Sequence, residues 1–191
     1  MSTAESKPSA SAQEYSEEER SLLLALAHRA IETALAGRKM DTTPPSEHLA
    51  QLRGAFTTLH LDGSLRGCVG YIVQMYSLYR TVAETAVAAA FHDTRFHPVT
   101  SQEAPRLVIE ISVLSPLFPI RPEAVEVGKH GLVVSLEGRR GLLLPQVPGE
   151  HGWDRLTFLE QTCYKAGLPP DAWAQGATLE AFVAEVFSEK P

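Results

Sequence analysis

Two strand-like runs, Phe56–Leu61 and Leu65–Ile72, are separated by only Asp62-Gly63 and its flanking Ser64. An Asp-Gly pair suits a two-residue hairpin turn, because both central residues of that turn need positive φ. Such a loop pairs Leu61 with Ser64 and Thr57 with Cys68. It also places Arg66 and Cys68 on one face of the ribbon, with Leu65 and Val69 on the other. A second hairpin is predicted from Gly131–Leu136 and Arg140–Leu144, turning at Glu137-Gly138-Arg139. Between the hairpins, Arg106–Leu114 alternates: Leu107, Ile109, Ile111 and Val113 point one way, and Val108, Glu110, Ser112 and Leu114 the other. Thr178–Phe187 alternates as well and reads as a strand, with a helix as the alternative.

Helices fall between these strands without a repeating βαβ order. Ser16 with Glu19 forms a capping box for a helix carrying Leu22, Leu23, Leu26, Ala27, Ala30, Ile31 and Leu35, which Gly37 ends. Leu78–Phe91 is a second, alanine-rich helix suited to close packing. Thr100 and Glu103 cap a short turn, and a third helix runs from about Asp154 to Ala166, with Gly167 beyond it. Hairpins mixed with non-alternating helices predict an α+β fold, an antiparallel sheet with flanking helices. Residues 15–191 read as one folding unit. Residues 1–14 are almost wholly small or polar and read as a disordered tail, since they bury too little apolar area to offset the entropy of ordering.

Composition removes several function classes. No apolar run reaches the roughly 20 residues that a bilayer-spanning helix needs. Two cysteines make neither a disulfide framework nor a thiolate-rich zinc site, which favours a cytoplasmic protein. The formal charge is −6, of which −4 lies in the first 19 residues, and the twelve Arg and five Lys are scattered. A nearly neutral body without a basic band does not favour nucleic-acid binding.

The most unusual segment is Leu65-Arg66-Gly67-Cys68-Val69-Gly70. Glycines inside a strand mark a bulge or a close approach by another backbone or a ligand. Arginine is a forked anion clamp that favours a neighbouring thiolate. Cys68 is therefore either a nucleophile in a substrate site or a packed structural thiol. Cys163 shares a helical stripe with Leu156, Leu159 and Ala166 and faces the core. Glu110 stands mid-strand: covered, its carboxylate suits a general base; solvated, it carries no such meaning. Asp93 and Arg95 read as a charge pair at a helix end. His92 and His97 lack the i, i+4 spacing of a helical zinc pair, while His130 and His151 precede glycines in loops, so no metal is expected. No phosphate-binding glycine loop, dinucleotide fingerprint or nucleophile elbow occurs, and no cofactor is expected.

Taken together, these segments resemble the AMMECR domain family, in particular its prokaryotic branch, AmmeMemoRadiSam system protein A. The resemblance rests on the hexapeptide, where the family has LRGCIG and this chain has Val69. It continues at Asp93-Thr94-Arg95-Phe96-His97-Pro98, Glu110–Pro116, His130-Gly131-Leu132, Gly141–Val147, Gly152-Trp153-Asp154 and Ala184–Phe187. It implies a two-lobed α+β domain with a cleft near the hexapeptide, and an association with Memo-like and radical SAM proteins. The function expected is that of an enzyme or enzyme subunit modifying a small molecule or peptide. A non-enzymatic binding module or adaptor of the same system is the alternative. The family supplies no settled reaction. The candidate catalytic residues are Cys68 as nucleophile with His130 or Glu110 as base. Arg66, the amides near Gly67 and Gly70, and Arg95 are the candidate substrate-binding groups.

Overall fold

The computed structural model describes residues 14–189. The predicted tail lies outside them apart from Glu14, whose amide donates to Glu185. Among the described residues, two four-stranded antiparallel sheets carry four α-helices, an α+β architecture. Helix α1 (Glu17–Leu35) opens with the predicted Ser16–Glu19 capping box, both halves made, and Gly37 adopts the left-handed backbone just beyond its end. Strands β1 (Ala55–Leu61) and β2 (Ser64–Tyr71) form the hairpin around Asp62-Gly63, both at positive φ. Helix α2 (Leu78–Phe91) follows, then β3 (Leu107–Leu114), the short β4 (Phe118–Pro119), and the hairpin β5 (Gly131–Leu136) and β6 (Arg139–Leu143). A short α3 (Val147–His151), α4 (Arg155–Lys165), β7 (Thr178–Phe182) and β8 (Ala184–Ser188) complete the chain.

The first sheet has the order β2-β1-β3-β8 and packs one face on α1 and α2. Alternation decides the face: Ala55, Thr57 and Leu59 on β1 and Ile109, Ile111 and Val113 on β3 are buried there. The hydroxyls of Thr57 and Thr85 meet at 2.8 Å across the sheet–helix contact, which satisfies two polar groups that burial would otherwise penalise. Alanines at 83, 86, 89 and 90 let α2 approach closely. The second sheet has the order β4-β7-β5-β6 and packs on α4, with Cys163 in that core as its helical stripe predicts.

The C-terminal strand is real but divided. It leaves the second sheet as β7, steps across at Val183 and joins the first as β8. Ser115, between β3 and β4, sits beside the step: its N–H donates to the Val183 carbonyl at 2.9 Å, and its Oγ accepts the Val183 N–H at 3.0 Å. Two neighbouring strands thus pass together from sheet to sheet. Around the crossing, Leu114, Val133 and Phe182 form a small buried cluster with Phe56, Leu142 and Leu144 against it.

One predicted register is corrected. Cys68 pairs with Thr58, not Thr57, because β2 bulges: Leu59 pairs with Gly67 and His60 with Leu65, leaving Arg66 without a partner. A bulge sets two residues against one and breaks the alternation of faces. Arg66 therefore does not share the face of Cys68. Its guanidinium turns to the loop after α2, where it meets Glu103 and the Pro98 carbonyl. The second hairpin turns on Glu137-Gly138 alone, both at positive φ, so Arg139 already belongs to β6.

Candidate functional site

The face of the first sheet turned away from the helices carries the candidate site. Strand pairing sets Cys68 (β2), Thr58 (β1), Glu110 (β3) and Ser188 (β8) in one row across four strands. The next row toward the crossing is Gly70, Phe56, Ser112 and Val186. In the first row Cys68, Thr58 and Glu110 are half-buried and Ser188 is exposed, so the row is open to solvent without being loose. The Thr58 hydroxyl donates to Cys68 Sγ at 3.3 Å. Glu110 lies on the far side of Thr58, roughly 10 Å from Cys68 at two strand spacings. Its carboxylate has no ion-pair or hydrogen-bond partner among the described residues.

Both hexapeptide glycines are explained by contact. A Cβ on Gly67 would stand 2.2 Å from the Ala89 carbonyl oxygen, so only glycine lets β2 touch the last turn of α2. A Cβ on Gly70 would stand 2.2 Å from ring carbons of Phe56, whose ring lies over the glycine toward the seam between sheets.

The loop after α2 grips the outer edge of β2. The Cys68 N–H donates to Asp93 Oδ2 at 2.9 Å, and Arg95 Nη2 donates to the Cys68 carbonyl at 3.4 Å. An anion does occupy the expected amide, but it is the protein's own. Arg95 also donates to the Asp93 carboxylate through Nε and Nη2 at 3.0 and 2.7 Å. That pairing holds Asp93 well below the usual carboxylate range against its burial, and the Cys68 amide adds to the effect. The charge pair predicted at the helix end is therefore also the clip that fixes the cysteine's peptide.

Arg66 is committed elsewhere. It makes a forked pair with Glu103 at 3.0 and 3.2 Å, and its Nη1 is buried rather than offered to solvent. Arg66 and the Thr100 N–H and O–H draw Glu103 down to about 2. The predicted capping box of Thr100 and Glu103 thus doubles as the anchor for the bulged arginine.

His130 stands at the start of β5, in the other sheet, and shares no hydrogen bond with Cys68 or Glu110. Its Nδ1 accepts the Glu126 N–H at 3.0 Å, its ring packs edge-on to Phe118, and burial lowers its basicity. Because Nδ1 accepts, the ring proton of the neutral form lies on Nε2. The structure brings Cys68, Glu110 and the Arg95–Asp93 clip to one end of one sheet. It does not bring Arg66 or His130 to the thiol.

Thr58 is the residue sequence reasoning missed. The signal was present in Gly67, since a glycine inside a strand marks a bulge, and a bulge there moves the cysteine's partner by one residue. Among the described residues no group of three or more His, Cys, Asp or Glu side chains is placed to hold a metal, and no helix is long and apolar enough to cross a membrane.

Comparison with known proteins gives a consistent answer. Residues 24–187 match the family AMMECR1. Protein MK0488 of Methanopyrus kandleri is 41% identical over 185 residues, covering 91% of this chain and 89% of that protein. A protein of Aquifex aeolicus is 38% identical over 178 residues, covering 88% of this chain and 91% of that one. The crystal structure of the uncharacterised protein PH0010 from Pyrococcus horikoshii superposes with a TM-score of 0.73 at 39% identity, covering 88% of this chain and 90% of that one.

Proposed function

The chain belongs to the AMMECR1 family, and from that membership we propose that it is an enzyme or enzyme subunit working in the cytoplasm with Memo-like and radical SAM proteins on a small molecule or peptide. The observation that carries the reading is the row on the open sheet face, where a half-buried thiol receives a hydrogen bond from Thr58. A donor fixed on the sulfur stabilises the negative charge that develops when the thiol reacts. Cys68 gives its proton to solvent and forms a bond to an electrophilic carbon of the substrate, whose leaving group departs with the bonding pair. Glu110 is too far away to take the proton directly. It accepts a hydrogen bond from an N–H or O–H of the bound substrate instead. Asp93 and Arg95 hold the cysteine's peptide and leave its side chain free.

Turnover by the three reconstituted proteins tests the proposal. Cys68→Ser is expected to abolish product and Thr58→Val to reduce it, with a mass adduct on Cys68 in the wild type. Unchanged product formation by Cys68→Ser removes the thiol from the chemistry. One observation favours a second reading, a binding module that presents substrate to the partners: among the described residues no base is hydrogen-bonded to Cys68 Sγ. Under that reading the protein retains its ligand without any adduct, and Cys68→Ser retains it equally well.

A further inference from the structure

The two cations expected beside Cys68, Arg66 and Arg95, are both engaged by carboxylates. Free cations gather elsewhere. At the C-terminal end of α1 a depression of about 620 Å³ is lined by Arg29, Arg38, Lys39, Tyr79, Thr33 and Thr43, with Glu32 and Asp41 also on its wall. Its volume falls in the range of small-molecule sites, roughly 300–1,000 Å³. Arg20, Arg53, Arg66, Arg80, Arg95 and Arg106 all have carboxylate partners, whereas Arg29, Arg38 and Lys39 have none among the described residues.

These three cations are not held there to cap the helix. The carbonyls of Glu32, Thr33 and Ala34 already accept the amides of Ala36, Arg38 and Gly37, through the left-handed turn at Gly37. That turn sends Arg38 and Lys39 into the wall of the depression, alongside the last turns of α1. The loop beyond is fixed at two points. Met40 packs on the core, and Asp41 accepts both the N–H and the O–H of Thr43 at 2.9 and 2.6 Å, which occupies one of the two local acids. Tyr79 of α2, 9% exposed, reaches the depression from the core, and its hydroxyl accepts from Arg29 Nη2 at 3.5 Å. A concave surface with several unpaired cations focuses its field on the space between them.

We infer that this depression is a binding site for a small polyanion of the size of a phosphorylated metabolite, separate from the Cys68 face and independent of its chemistry. Two guanidiniums and an ammonium meet the anionic groups, the Thr33 hydroxyl supplies a further donor, and Tyr79 and Met40 give an apolar base for the organic part.

Titration calorimetry of the full chain with inorganic pyrophosphate, at low and at physiological salt, tests this. Saturable one-site binding that weakens with salt is expected. Arg29→Gln together with Arg38→Gln should weaken it at least tenfold while leaving the melting temperature in place, because both side chains are exposed. Arg121→Gln, an exposed cation outside the depression, should bind as the wild type does. Absence of saturable binding at millimolar pyrophosphate overturns the inference, as does equal loss in the Arg121→Gln control or an unaltered affinity in the double variant.

Discussion

Replacing Gly67 by alanine adds one methyl carbon at the point where β2 touches α2. That carbon would lie 2.2 Å from the Ala89 carbonyl oxygen and 3.1 Å from the Ala89 carbonyl carbon, against an ordinary contact that begins at 3.4 Å. The obstacle is helix backbone, which no side-chain rotation removes, so strand and helix must separate by roughly 1 Å, as overpacking of a dense interior requires. Separation loosens the core around Val69, Ala86 and Ala89 and strains the Cys68–Asp93 bond. Overpacking costs about 1–3 kcal/mol. The smaller entropy of an unfolded alanine returns up to about 1 kcal/mol, because Gly67 has no positive φ to forbid the substitution. A net loss of about 1–2 kcal/mol is expected, or a melting temperature lower by about 2–8 °C in a chain of this size. Urea unfolding followed by far-ultraviolet circular dichroism measures it. A variant within about 0.5 kcal/mol of wild type, the usual scatter of neutral surface changes, would refute the view that close approach is what demands glycine here.

Removing the Arg66 guanidinium with Arg66→Gln should cost about 1–2 kcal/mol at neutral pH, as expected for a forked, partly buried ion pair. Glu103 is depressed in the folded state, so its contribution is complete above its unfolded pKa and is lost as pH falls from about 4.5 toward about 2. The stability gap between wild type and variant should therefore close across that window; a gap that stays constant would separate Arg66 from Glu103. A neutral disulfide reagent should modify one thiol of the native protein, half-buried Cys68, and reach Cys163 only on unfolding, since Cys163 is fully buried and burial pushes its thiol up. Two rapid equivalents, or none, would contradict the open face. Ser115→Ala should leave the Val183 amide without its acceptor and cost about 1–2 kcal/mol. Hydrogen exchange should speed up locally at Val183, and uniform protection there would count against Ser115 as the latch of the crossing.

Tyr15 ties the start of the described chain to the first sheet. Its ring is buried and stacks on His48, while the Glu185 carboxylate on β8 accepts from the Tyr15 and Glu14 amides and from Arg20. The start of α1 is thereby joined to the last strand of the first sheet, which fixes the edge opposite β2.

Features whose causes lie within a few residues are legible in the local sequence. Ser16 and Glu19 cap α1 reciprocally, Asp62-Gly63 and Glu137-Gly138 accept positive φ, and alternation along Leu107–Val113 selects the core face of β3. The α+β class follows from those local signals. Whatever depends on a partner far along the chain is settled by packing instead. The helix carbonyl at Ala89 and the anchor at Glu103 accompany the bulge at Arg66, which turns the guanidinium away from the thiol and gives Cys68 to Thr58. Val183 divides one alternating run between two sheets because Ser115 meets it there. A backbone alternation repeats every two residues, so one inserted residue reverses every face beyond it, and the contacts that hold such an insertion arise only when distant segments pack.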